Sequence, residues 1–206
     1  MTHLDINTRS YNDIASHWDK IRKARPVDPI IVRLASLLPK GAKILDVGCG
    51  TGYPIADYLS KQGFSVTGID PAENMLKKAK DLRLESAVFI KSDLFSYETE
   101  EKFEAVVAFD SIFHIEMEKQ PRIYPKIASL LNPGGLFLFT GGKEKGNVQG
   151  QMFGREFHYG ALNAEDIKKR LQAENFEILE FLENYKDPVT GTRDLVVIAK
   201  KTAQKP

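Results

Sequence analysis

This chain of 206 residues lacks long apolar runs, cysteine pairs and a surplus of either charge. With no stretch of 18 apolar residues and no secretory leader pattern, the expectation is a soluble, cytoplasmic protein with no membrane partner. A lone cysteine, Cys49, excludes an internal disulfide and a multi-cysteine zinc site, and suits a reducing compartment. The 29 Lys and Arg nearly balance 28 Asp and Glu, for a net charge of +1. No overall field would therefore gather nucleic acid. Lysines cluster at 77–80 and 168–170, inside amphipathic helix patterns where a solvated face accounts for them. Neither an internal repeat nor a linker is visible, and 42% hydrophobic content over this length suits one domain with its own core.

What is present is concentrated between Ile44 and Gly52. Ile44 to Val47 form an apolar strand-like run, then Gly48, Gly50 and Gly52 turn the chain, and a helical pattern starts near Pro54. Glycine accepts positive φ and lets a ligand approach the backbone, while the following helix offers unpaired N–H groups. Proline is tolerated in a first helical turn. The dinucleotide fingerprint G-x-G-x-x-G requires a third glycine where this chain has Tyr53. An acid follows at the expected distance: Asp70 ends the run Phe64–Ile69, where a carboxylate can accept hydrogen bonds from ribose hydroxyls. Asp46 is buried by pattern, and is expected to order the glycine loop by hydrogen bonding.

Strand and helix signals alternate from residue 43. Strands are predicted at 43–47, 64–69, 87–91, 103–109 and 135–140, with helices at 53–62, 72–82 and 118–131 between them. Such alternation implies parallel strands joined by right-handed crossovers. Two helices precede the sheet, at 8–24 and Pro29–Leu38. The first carries Tyr11, Ile14, Trp18 and Ile21 on one side. After Thr140 six glycines fall within residues 141–160, with little periodicity. A helix at 163–173 and strands at 176–185 and 193–200 follow. The loop Lys186–Thr192 is too short for a parallel crossover, so the last two strands pair antiparallel. The fold class is α/β: a Rossmann-like seven-stranded sheet, mostly parallel with one antiparallel strand. Helices cover both faces, residues 1–40 form an N-terminal helical cap, and 141–162 are a candidate lid. The tail 201–206 is expected to fray.

ILDVGCGTGYPIADYL, VTGIDPAENML, KSDLF, FEAVVAFDSIFHI and LNPGGLFLFTGG, in that order, resemble the motif set of class I S-adenosylmethionine-dependent methyltransferases. The likeness is close over residues 40–142, and nearest to small single-domain bacterial enzymes acting on small molecules. It implies S-adenosylmethionine as cofactor and S-adenosylhomocysteine as product. Gly48, Cys49, Gly50 and Gly52 would line the methionine part, Asp70 would hold the ribose, and Pro71 and Met75 would flank the adenine. Asp93 and the Leu94 backbone would meet the adenine's amino edge, and the Phe109 carbonyl would receive the ammonium. Tyr11 would cover the cofactor from the first helix. Phe109-Asp110 departs from the asparagine-containing turn common in the family.

Methyl transfer is an in-line displacement for which alignment in a dry site matters most, and a base is needed only if the acceptor must lose a proton. His114, with Asp110 to orient it, is one catalytic candidate. His158 and Tyr159, beside Arg155 in the glycine-rich segment, are the others. Asp93 could instead be a surface turn or helix cap, the 141–160 segment a surface hairpin, and His114 a helix-start residue bonded to backbone. Phe109-Asp110-Ser111-Ile112 is not the Asp/Asn-Pro-Pro-Tyr pattern of base-amine methylation, and no carboxylate cluster suggests a metal. A small-molecule O, N or S acceptor and a monomer or homodimer are expected. A non-catalytic S-adenosylmethionine-binding module and an NAD-dependent oxidoreductase remain as alternatives.

Overall fold

The computed structural model describes residues 2–142 and 144–202. Two helices, α1 (His3–Lys23) and α2 (Pro29–Ser36), lead into β1 (Lys43–Val47). Then follow α3 (Ile55–Lys61), β2 (Ser65–Asp70), α4 (Glu73–Asp81), β3 (Ala87–Lys91) and β4 (Phe103–Ala108). Two 3-10 turns, Ile112–His114 and Gln120–Arg122, precede α5 (Ile123–Leu130) and β5 (Leu131–Gly141). The chain continues through β6 (Gly146–Met152), β7 (Arg155–Ala161), α6 (Ala164–Ala173), β8 (Phe176–Asp187) and β9 (Gly191–Lys201).

Seven strands form one sheet in the order β3-β2-β1-β4-β5-β9-β8. β1 to β5 pair parallel, and β9 lies antiparallel to both β5 and β8, so β9 is the single reversed strand. The order reverses beside β1: β2 is on one side and β4 on the other. Open α/β sheets hold their ligands at such a switch point, outside the carboxyl ends of the strands. Two apolar layers sandwich the sheet. One is built on α5 and α6 with Phe103, Phe137 and Phe139, the other on α2, α3 and α4 with Ile31, Leu34 and Leu59. Each fully buried side chain of this size contributes about 1.5–3 kcal/mol by leaving water. Among the described residues no helix is long and apolar enough to cross a membrane.

Two expectations are corrected, and one pair of alternatives is resolved. The predicted helix at 118–131 is shortened to α5, because Pro121 and Pro125 remove backbone donors and the preceding chain closes in 3-10 turns. The predicted cap at 1–40 divides: α1 lies across the ends of the strands, whereas α2 packs into the layer beneath the sheet through Ile30, Ile31 and Leu34. For the glycine-rich segment, the surface hairpin that the sequence offered beside a lid is the geometry found over residues 146–161. β6 and β7 form a separate antiparallel hairpin, turning at Phe153 and Gly154, whose φ values of 51° and 71° suit a two-residue hairpin turn. Of the tail expected to fray, Lys201 ends β9 and Thr202 bonds Asn175, while 203–206 lie outside the described residues.

Candidate ligand-binding site

A cavity of about 190 Å3 opens where the chain leaves β1, β2, β3 and β4, with α1 as its roof. Its floor is the glycine loop. Gly48 and Cys49 N–H groups donate to the Ile69 carbonyl at 2.8 and 3.1 Å, tying the loop to β2. The Gly50 N–H donates to Asp70 Oδ2 at 2.9 Å, and the Ala72 N–H to Asp70 Oδ1 at 2.8 Å. Asp70 thus braces two turns while lining the cavity, and each oxygen keeps lone-pair capacity for a further donor. Burial raises its carboxyl to about 6 against the pull of those two N–H groups.

The three loop glycines do different things. A Cβ on Gly48 would lie 2.4 Å from Ser111 Cβ, whose hydroxyl donates to the Val47 carbonyl at 2.6 Å. Gly48 therefore lets two strand ends pack. A Cβ on Gly52 would lie 2.8 Å from Leu82 Cδ1 and 3.5 Å from Ala79 Cβ, so its lack of a side chain lets the loop pack against the end of α4. Only Gly50 combines positive φ, 55°, with open space: the nearest atom to its Cβ would be Trp18 Nε1 at 3.9 Å.

Asp46 lines the cavity, 2% exposed, and burial together with the charge of Asp70 raises its carboxyl to about 7. No hydrogen bond from its side chain to the glycine loop is found among the described residues, so backbone bonds to Ile69 order the loop instead. Cys49 is buried, its thiol raised by desolvation and packed over Gly68. Thr51 Oγ1 is buried beside the cavity without a protein partner. Pro71, Met75, Asp93 and Leu94 form the wall beyond Asp70. Asp93 Oδ1 caps the turn that follows, accepting from the Phe95 and Ser96 N–H groups at 2.8 and 3.2 Å. The capping reading of Asp93 describes its geometry.

Phe109 lies at the opposite wall, with the Arg193 guanidinium 4.2 Å over its ring. Asp110, at φ 56°, is held in a two-toothed bond by Arg193 at 2.8 and 2.9 Å. Arg193 also reaches Asp28 at 3.1 Å, where Tyr185 and Thr190 donate as well. Asp110 is therefore committed to β9 and does not orient His114. That task falls to the His158 carbonyl, 3.0 Å from His114 Nδ1. The other ring nitrogen, Nε2, is 2.8 Å from the Tyr11 hydroxyl. Burial lowers His114 to about 4, so the imidazole is neutral at pH 7.

α1 is held down from both sides. Asn7 and the His158 backbone bond reciprocally at 2.9 and 2.8 Å, and Ser10 Oγ donates to the Glu156 carbonyl at 2.6 Å. Asn12 bonds Asn74 on α4, and Ile14 and Ala15 pack with Met75 and Phe157. Two catalytic candidates are thereby displaced. The His158 ring packs on His3 at 4.5 Å and bonds Glu156 at 2.7 Å, and neither His158 nor Tyr159 lines the cavity. Tyr159 stands against His114, ring centroids 4.9 Å apart, and Arg155 pairs with Asp13 at 2.9 Å. The hairpin anchors α1 instead of entering the site.

Arg22 went unnoticed in the sequence. Its side chain is 12% exposed, lines the cavity, lies 5.4 Å over the Trp18 ring, and has Asp110 no nearer than 4.0 Å. The signal was available, since Trp18 and Arg22 are spaced i, i+4 on the stripe that carries Tyr11.

A family model described as a methyltransferase domain matches residues 18–180. Among curated relatives, a ubiquinone biosynthesis O-methyltransferase of Xanthomonas axonopodis pv. citri is 38% identical over 133 residues, 60% of this chain and 55% of that one. The chain spans about half the length of the curated relatives it matches. An S-adenosylmethionine-dependent methyltransferase structure from Methanosarcina mazei aligns with TM-score 0.72 at 23% identity, covering 87% of this chain and all of that one. The Burkholderia thailandensis 1,6-didemethyltoxoflavin-N1-methyltransferase, solved with its acceptor and S-adenosylhomocysteine, aligns at 0.67 and 20% identity, over 85% of this chain and 77% of that one. At these identities the structures establish a shared fold.

Proposed function

The chain belongs to the methyltransferase-domain family, and we propose that it transfers the methyl group of S-adenosylmethionine to a small-molecule O, N or S acceptor. The observation that carries this reading is the pairing of an open, positive-φ Gly50 with Asp70, whose carboxylate both holds the Gly50 N–H and lines the cavity. A ligand can lie against the Gly50 backbone there and reach a carboxylate at the same time. The unpartnered Thr51 hydroxyl and the two desolvated carboxylates, Asp46 and Asp70, fit a ligand with hydroxyl groups and positive charge.

When bound, S-adenosylmethionine supplies an electrophilic methyl on a positively charged sulfur. Asp70 would accept from ribose hydroxyls, and Pro71, Met75 and Leu94 would enclose the adenine. Asp46 would face the cationic part, and Arg22 would neutralise the ligand's carboxylate. Trp18 and Tyr11, from α1, would exclude water over the glycine loop. These residues align and desolvate, which is the protein's main contribution to such a displacement. α1 serves as roof in this reading and the β6–β7 hairpin as its anchor, within a single methyltransferase unit.

Calorimetric titration with S-adenosylmethionine, S-adenosylhomocysteine and NAD tests the proposal. Micromolar binding of the two sulfur compounds without NAD is the expected result. Binding of NAD alone would move the search to hydride chemistry.

A further inference from the structure

α1 runs along the cavity, and its two ends cover different neighbours. Its later part, Trp18 and Arg22, faces Gly50 and Asp110. Its first turns, which bring Leu4 and Thr8 to the cavity, lie on the segment after β4: the His3 N–H donates to Glu116 Oε1 at 3.3 Å and Asn7 Nδ2 to the His114 carbonyl at 3.4 Å. At about 1.5 Å per residue, Tyr11 stands about 10 Å along the helix from both Leu4 and Trp18. Its hydroxyl thus sits between the cofactor section and the outer section of one cavity.

The direction of that hydroxyl's proton is decided elsewhere. His114 Nδ1 is 3.0 Å from the His158 carbonyl oxygen, and a carbonyl can only accept. The proton of the neutral imidazole is therefore on Nδ1, and Nε2 is an acceptor. Tyr11 Oη, 2.8 Å from Nε2, must donate to it. The phenol keeps that proton, because burial and the nearby charges of Asp70 and Asp110 raise it above its ordinary value. Tyr11 and His114 both line the cavity, and the remaining lone pair of the Tyr11 oxygen is left for a donor there. The chain of bonds is rigid at its base, since Asn7 holds the His158 backbone at both N–H and carbonyl.

We propose that this relay, from the His158 carbonyl through His114 to Tyr11, makes the Tyr11 oxygen a hydrogen-bond acceptor only, and so selects methyl acceptors whose attacking atom is a neutral O–H or N–H. A carboxylate or thiolate would set its own lone pairs against that oxygen. Tyr11 is the residue that touches the acceptor, and His114 is a positioning residue. The inference rests on the methyltransferase reading and narrows it, by setting aside carboxylate and thiolate acceptors.

The test uses the full chain and two readouts. Long-range proton–nitrogen spectra of labelled protein should show His114 as the Nδ1–H tautomer at pH 7; an Nε2–H tautomer or a doubly protonated ring would overturn the relay. Matched fragments (phenol, aniline and benzoate) are then titrated into protein saturated with S-adenosylhomocysteine. Phenol and aniline should bind at least tenfold more tightly than benzoate, and Tyr11→Phe, which keeps the ring packing, should erase that preference. His114→Gln should retain part of it, because the amide can donate to the His158 carbonyl or accept from Tyr11. Benzoate favoured over phenol, or a preference unchanged in Tyr11→Phe, would overturn the assignment. Failure of S-adenosylhomocysteine to bind in the same samples would instead defeat the methyltransferase reading.

Discussion

The floor and the roof of the cavity are held by different forces. The floor, from Gly48 to Asp70, hangs on parallel strands through backbone bonds at 2.8–3.1 Å, with one carboxylate bracing two turns. The roof, α1, has no strand partner. It is fastened by side chains: Asn7 and Ser10 on the β7 backbone, Asn12 on Asn74, and Tyr11 on His114. A floor built from backbone geometry tolerates little change and suits the part of a ligand that never varies. A roof built from side chains can change one residue at a time, and it holds the groups that face a variable acceptor.

The largest effect expected is at the polar lock behind the floor. Arg193→Met would leave the buried Asp28 without its counter-charge and the half-buried Asp110 without its two-toothed partner, with only Arg22 at 4.0 Å, at a cost of about 3–5 kcal/mol in denaturant unfolding. A loss below 1 kcal/mol would mean that the lock is ornamental.

Next, Asp70→Ala removes the partner of two backbone N–H groups as well as the proposed ribose contact. Stability and S-adenosylhomocysteine affinity should each fall by about 1–3 kcal/mol. Unchanged affinity would remove Asp70 from the binding account.

Asn7→Ala acts on the roof alone. It breaks two bonds to the His158 backbone and should cost about 1–2 kcal/mol. Hydrogen exchange should quicken in α1 and β7 but not in β1 or β2; quickening spread evenly over the chain would erase the division between floor and roof.

The last effect depends on pH. Asp46 stands at about 7 in the folded chain, above the roughly 3.9 of an unfolded aspartate. Between those values the folded state holds the extra proton, so this group's contribution to stability falls as pH rises from about 4 to 7. Asp46→Asn should flatten that part of the Tm–pH profile and stabilise the ligand-free protein at pH 8. It should also remove part of the rise in affinity for the cationic cofactor between pH 6 and 8, as measured by calorimetry. A profile that Asp46→Asn leaves unaltered would show that Asp46 does not titrate in this range.

The sheet was legible because β1 to β5 announce themselves by apolar runs, and because Gly48, Gly50 and Asp70 carry fixed spacing. β1 and β3 agree to the residue with the predicted 43–47 and 87–91. The hairpin at 146–161 was legible only as one of two readings, a lid or a surface hairpin, since its alternation is blurred by glycines and by Gln149, Gln151 and Asn147 facing solvent. His158 looked chemical because of its residue type. Its useful atom is a backbone oxygen, and residue type does not report on that. Arg193 and Asp28 are 165 positions apart, and no local pattern links them. Gly52 shows the converse limit: a motif position can also serve packing, here against Leu82, which the spacing does not reveal.

The central claim is that S-adenosylmethionine lies against Gly50 under α1. Titrating S-adenosylhomocysteine into the wild type, Asn7→Ala and Gly50→Val tests it most directly. Gly50→Val fills the open space below Trp18, and the account predicts tight binding to the wild type, weaker binding to Asn7→Ala and none to a folded Gly50→Val. Equal binding by all three would contradict it.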